Sequence, residues 1–86
     1  MPKAITPLGL SRRLKQARIK KGMSLRDLEA VNSISNPYLS QVEQGKAGDV
    51  NPKKLKSIAL ALGLDYIELM VLAGYLTVGD LKRSRL

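Results

Sequence analysis

Four polar side chains lie close together between positions 36 and 44: Asn36, Ser40, Gln41 and Gln44, with Pro37 among them. None carries a charge, and none is a nucleophile or a proton-transfer group of the usual kind. What amides and hydroxyls at this spacing can do is exchange paired hydrogen bonds with a flat, donor-and-acceptor-rich edge. Asn or Gln against N6 and N7 of adenine is the best-defined case. Covalent chemistry has little to draw on elsewhere. The chain contains no His and no Cys, so the common general base and the imidazole and thiolate metal ligands are missing. Its acids are scattered singly and no Gly-rich phosphate loop is present. The expectation is a binding protein, not an enzyme, with no metal and no cofactor.

The charge points to the kind of partner. Fifteen Lys and Arg against seven Asp and Glu leave a formal net charge of +8 over 86 residues. Residues 1–26 hold eight basic side chains and no acidic one, whereas the remainder balances at seven of each. A one-signed segment favours a polyanion, because each cation near a phosphate releases condensed counterions. A solvated face is the plain alternative. A membrane surface is less suited, since the first helix has no bulky aromatic anchor. The apolar stretch 58–78 is interrupted by Gly63, Asp65, Glu68 and Gly74, so it reads as core helices and not as a span. The absence of cysteine fits a reducing cytoplasm, and the N-terminus has no apolar run of the signal-peptide type.

These side chains must be held by helices. Thr6-Pro7, Asn36-Pro37 and Asn51-Pro52 each pair a capping residue with a proline suited to a first helical turn. Ser24 with Asp27, and Asp65 with Glu68, have the spacing of capping boxes. Gly22, Gly45, Gly63 and Gly74 sit where helices stop. Between these marks the apolar residues recur at three and four: Leu10, Leu14, Ala17; Leu25, Leu28, Val31; Leu39, Val42; Leu55, Ile58, Ala59, Leu62; Ile67, Met70, Val71. No segment alternates as a strand would. The spacing predicts an all-α domain over 1–76 with helices near 7–21, 25–32, 36–44, 52–62 and 66–73. A basic tail over 77–86 follows, with a short extra helix near 79–83, a role in dimerisation, or no fixed structure. The second and third helices, joined through Asn32-Ser33-Ile34, have the outline of a helix-turn-helix, with Ile34 filling the angle.

The run Ile34-Ser35-Asn36-Pro37-Tyr38-Leu39-Ser40-Gln41-Val42-Glu43-Gln44-Gly45-Lys46 resembles the signature of the phage-repressor and Cro-like (XRE-type) helix-turn-helix family. Arg18-x-x-x-Gly22-Met23-Ser24 is similar to that family's first-helix ending. Asn51-Pro52-x-x-Leu55-x-x-Ile58-Ala59-x-x-Leu62-Gly63 is similar to its fourth helix. The resemblance covers residues 8–73. It implies a compact five-helix repressor-like domain that binds double-stranded DNA with the helix over 36–44, as a homodimer on an inverted repeat. The implied base contacts are Asn36, Pro37 and Gln41, with Ser40 on the same face. Gln44 and Lys46 are the implied backbone contacts, to which the residues themselves add Ser24, Arg26, Tyr38 and Lys53 as candidates. Arg18 and Glu43 match a structural ion pair.

Several readings stay open in the sequence. Asn36 is either a base reader or a helix cap, Tyr38 either a phosphate donor or only packing. Position 29, where the family favours a small residue, holds Glu29, so the two helices stand apart or the side chain runs out of their contact. Ser33 replaces a common turn glycine, which suggests a turn without positive φ. Leu69, Leu72, Tyr75, Leu76 and Val78 exceed the needs of a small core and are the expected dimer surface. No small-molecule ligand is expected. The rival function is a protein-interaction module, such as an antitoxin or the partner of an anti-repressor; a third reading is an RNA-associated protein of the same fold.

Overall fold

Four of the five described helices begin at a residue whose side chain accepts from an otherwise unpaired N–H, and these residues differ in part from those expected. In the computed structural model, which describes residues 5–77 and 79, the elements are α1 (Leu8–Lys20), α2 (Leu25–Asn32), α3 (Asn36–Glu43), α4 (Pro52–Leu62) and α5 (Tyr66–Leu72). The Ser24–Asp27 capping box forms in full, with the Ser24 N–H donating to Asp27 Oδ2 at 2.8 Å and the Asp27 N–H to Ser24 Oγ at 3.0 Å. Asn51 caps α4 through the Lys54 N–H at 2.8 Å, with Pro52 in the first turn.

Two of the expected arrangements at helix starts do not form as expected. Thr6 does not cap α1: it is fully buried, its N–H donates to the Gly45 carbonyl at 3.0 Å, and its Oγ1 accepts from the Ala47 N–H at 3.0 Å. The hydroxyl has turned from its own helix to the loop after α3. Asp65 caps α5 through the Ile67 N–H at 2.9 Å, but Glu68 does not close the box. Its carboxylate goes to Arg13 instead, at 3.1 Å.

The core lies where all five helices converge. Leu10 and Leu14 of α1, Leu28 of α2, Leu39 and Val42 of α3, Leu55 and Ile58 of α4 and Leu69 of α5 are all nearly inaccessible. α1 packs on α3, α4 and α5; α2 packs on α3 and α4; α4 and α5 lie against each other. Two members of the expected apolar faces are on the outside. Val31 is 61% exposed and Ile67 is 36% exposed, because Leu28 and Leu69 take the inward positions of their short helices. Among the described residues no helix is long and apolar enough to cross a membrane. The short helix expected near 79–83 lies outside the described residues, apart from Gly79.

Candidate nucleic-acid interface

The helix pair that carries the polar cluster is fixed by a chain of bonds through its turn. α2 ends when the Ser33 N–H donates to the Glu29 carbonyl at 2.8 Å, and Ser33 itself takes φ of +60°. The turn therefore does use the left-handed region, against the sequence expectation, and does so with a serine. Ser33 is the one non-glycine residue with positive φ among those described. The Ile34 N–H then donates to Asn32 Oδ1 at 3.0 Å, and the half-buried Ile34 packs against the core between the helices.

α3 starts with three N–H positions accounted for. Ser35, not Asn36, is its cap, accepting from the Tyr38 N–H at 3.3 Å. Pro37 has no N–H to satisfy. The Asn36 N–H donates to Glu29 Oε2 at 3.1 Å. The Glu29 side chain thus does not run out into solvent; its carboxylate bridges α2 to the start of α3. Asn36 is released from the capping role, and its side-chain amide makes no hydrogen bond to the described residues.

With Leu39 and Val42 buried, the opposite side of α3 is open. Pro37, Gln41 and Gln44 are exposed, while Asn36 and Ser40 are half-buried at the edge of the same face. Gln44 Nε2 donates to Ser40 Oγ at 2.7 Å, one turn back, so these two side chains form a linked polar pair along the helix. The face holds no charge. Arg26 on α2, Lys46 after α3 and Lys53 at the start of α4 are exposed, with no ion pair among the described residues. Ser24 is exposed too, but its hydroxyl and N–H are both committed to the capping box.

Tyr38 is half-buried, with the Lys54 ammonium 4.1 Å from its ring centroid, a cation–π geometry. Burial raises the phenol above its usual pKa, so at neutral pH it remains a donor.

The face is oriented from behind by α1. Arg18 Nε donates to Glu43 Oε2 at 2.6 Å and Nη2 to Glu43 Oε1 at 2.9 Å, a bidentate pair whose side chains are only 13% and 9% exposed. Arg18 Nη1 also donates to the Met23 carbonyl at 2.8 Å. The hydrogen bond to Glu43 holds the guanidinium above its already high pKa. A second tie, which no sequence pattern marked, is the buried Ser11 hydroxyl donating to the Val42 carbonyl at 2.6 Å. Arg18 and Ser11, seven residues apart, hold α3 along one line of α1.

The residues expected at a dimer surface separate. Leu69 is fully buried in the core and is unavailable to a partner, since α5 is short and needs an inward anchor. Leu72 and Leu76 are half-buried, and Tyr75 is 41% exposed with its hydroxyl donating to the Val50 carbonyl at 2.9 Å. Ile5, Leu72 and Tyr75 border an open cleft. Val78 lies outside the described residues. Among the described residues there is no group of three or more His, Cys, Asp or Glu placed to hold a metal ion.

A five-helix globule with a short, capped second helix, a tight turn and a third helix open on one polar face is a helix-turn-helix domain. The family described as "Helix-turn-helix domain" matches residues 11–75. The chain belongs to that family, and to its phage-repressor and Cro-like (XRE-type) branch.

Among curated proteins, it is 29% identical over 72 residues to the uncharacterized HTH-type transcriptional regulator RghRB of Bacillus subtilis (strain 168). That match takes in 84% of this chain and 50% of the relative, so the chain spans about half the length of the curated relative it matches. Among solved structures it is similar to SinR, the master regulator for biofilm formation crystallised in complex with DNA. The TM-score there is 0.67 at 26% identity, over 71% of this chain and 97% of that one. It is also similar to ClgR, the clp gene regulator from C. glutamicum, with a TM-score of 0.66 at 29% identity over 91% and 99% of the two chains.

Proposed function

We propose that this protein is a sequence-specific, double-stranded DNA-binding transcriptional regulator that lays α3 in the major groove. The observation that carries this reading is the composition of the outward face of α3. It is uncharged over Asn36, Pro37, Ser40 and Gln41, and the flanking elements carry the exposed cations Arg26, Lys46 and Lys53, which form no ion pair among the described residues. Uncharged amides read base edges, and cations at the margins hold the phosphates. Tyr38, Gln44 and Ser24 are the further residues proposed for phosphate contacts, Ser24 through the hydroxyl that also accepts from the Asp27 N–H. SinR, a fold neighbour, was crystallised with DNA, and the likeness supports the same class of partner here.

One copy reads too few base pairs for useful selectivity. The reading therefore includes a two-fold homodimer on an inverted repeat, acting as a repressor by occupying its site. Leu72 and Tyr75, which border the cleft at the end of α5, and Leu76 are the residues proposed for its interface; Leu69 is not among them. A cytoplasmic location follows from this function.

Selection of bound duplexes from a random pool tests the reading, followed by affinity against salt for wild type and Gln41→Ala. The expected result is an enriched inverted repeat, with Gln41→Ala relaxing preference at one position by about 1–3 kcal/mol. No enriched motif and an indistinguishable Gln41→Ala would overturn it and favour a module that binds a protein, for which a pull-down would then be the next step.

A further inference from the structure

Glu29 occupies both ends of the turn. Its main-chain carbonyl accepts the Ser33 N–H that closes α2, at 2.8 Å, and its side-chain carboxylate accepts the Asn36 N–H that opens α3, at 3.1 Å. One residue thus joins the last turn of the supporting helix to the first turn of the reading helix. The other bonds of the turn are local: Asn32 to Ile34 and Ser35 to Tyr38 each act within two or three residues. Apolar packing of Ile34, Leu39 and Val42 holds α3 against the core, but packing is non-directional and tolerates small rotations about the helix axis. A carboxylate bonded to an N–H does not, because the bond weakens steeply off line. The N-terminal residues of α3 are also those whose reach toward a base edge is most sensitive to its angle.

We infer that Glu29 is a positioning residue for sequence readout: by bridging α2 to the Asn36 N–H, it sets the pose in which α3 presents Asn36 and Pro37 to DNA. Glu29 acts through Asn36 and needs no contact with DNA. The inference rests on the major-groove reading proposed above.

The test compares relative affinities, so that a loss of stability alone does not register. Wild type, Glu29→Ala and Glu29→Gln are measured against the selected duplex and against its three single-base variants at the position Asn36 reads, well below each protein's melting temperature. That position is assigned beforehand as the one where Asn36→Ala loses discrimination. Gln keeps an oxygen that can accept from the Asn36 N–H, so Glu29→Gln is expected to keep the wild-type preference. Glu29→Ala is expected to reduce a preference of about 10-fold at that base to within about 2-fold, the scale set by loss of one paired amide contact. Preference at the base read by Gln41, in the middle of α3, should change less.

If Glu29→Ala does not fold, Glu29→Asp carries the same expectation, its carboxylate falling one methylene short. A full wild-type preference in the shortened or truncated variant, or an equal loss in Glu29→Gln, overturns the inference. Failure of wild type to select any motif would instead sink the DNA reading itself, so the two failures are distinct.

Discussion

Arg18 is the basic residue that the charge of residues 1–26 would most easily misassign. It sits in the segment without acids, yet its guanidinium is turned inward and donates three hydrogen bonds, two to Glu43 and one to the Met23 carbonyl. Two nearly buried opposite charges hold each other at a desolvation cost, and removing one leaves the other stranded. Glu43→Ala is therefore expected to cost about 3–5 kcal/mol in denaturant unfolding, enough to unfold much of a domain this small. Replacing both partners with apolar residues should cost less than either single change. The exposed pair Arg13–Glu68, at 38% and 42% side-chain exposure, is expected to contribute less than about 1 kcal/mol.

At the scale of the element, α2 depends on its entry box. The Ser24 N–H and hydroxyl hold the Asp27 carboxyl below its usual value. A carboxylate depressed in the folded state stabilises it at and above its ordinary pKa, and that contribution is lost as pH falls through the lower folded value. Melting temperature against pH should therefore show wild type above Asp27→Ala throughout the neutral range, the gap closing only in acid below the ordinary carboxylate range. A gap that did not narrow there would show that the box does not act through the charged form. At the other end of α2, Ser33 at φ +60° carries the strain of a side chain in the left-handed region. Ser33→Gly is expected to raise stability by about 0.5–1 kcal/mol, read from the denaturation midpoint.

The contrast between these two ends shows how far the sequence could be read. Ser24 and Asp27 act on each other within one turn, so spacing alone located them, as it located the α4 cap at Asn51 and the inward faces of α1 and α4. Ser33, Glu29, Thr6 and Ser11 act across the turn or across the fold, and spacing along one element carries no record of a partner 7, 31 or 41 residues away. Glu29 left one trace, as a long acidic side chain where the family resemblance favours a small one. Thr6 was misplaced because a threonine before a proline has the pattern of a cap whether or not the hydroxyl is used as one. The dimer surface was overfilled for a related reason: with several apolar residues on a seven-residue α5, pattern cannot say which one the core takes.

For the molecule as a whole, that last point has a measurable side. Leu69 belongs to the monomer's core, and Leu69→Ala is expected to lower unfolding free energy by about 2–5 kcal/mol, with a similar loss at every protein concentration. A residue whose main role is at a subunit interface would show a loss that grows with concentration, as association adds to stability. Tyr75 and Leu76 are the positions where that second behaviour is expected under the proposed dimer.

The stitch at Thr6 ties the start of the described chain to the loop that follows α3, through the Gly45 carbonyl and the Ala47 N–H. An N-terminal affinity tag is therefore not a neutral handle on this protein, because it extends a chain whose Thr6 is bonded into the loop that carries Lys46. A protease that trimmed past Thr6 would remove both of these bonds and with them the tie between the start of α1 and the loop after α3.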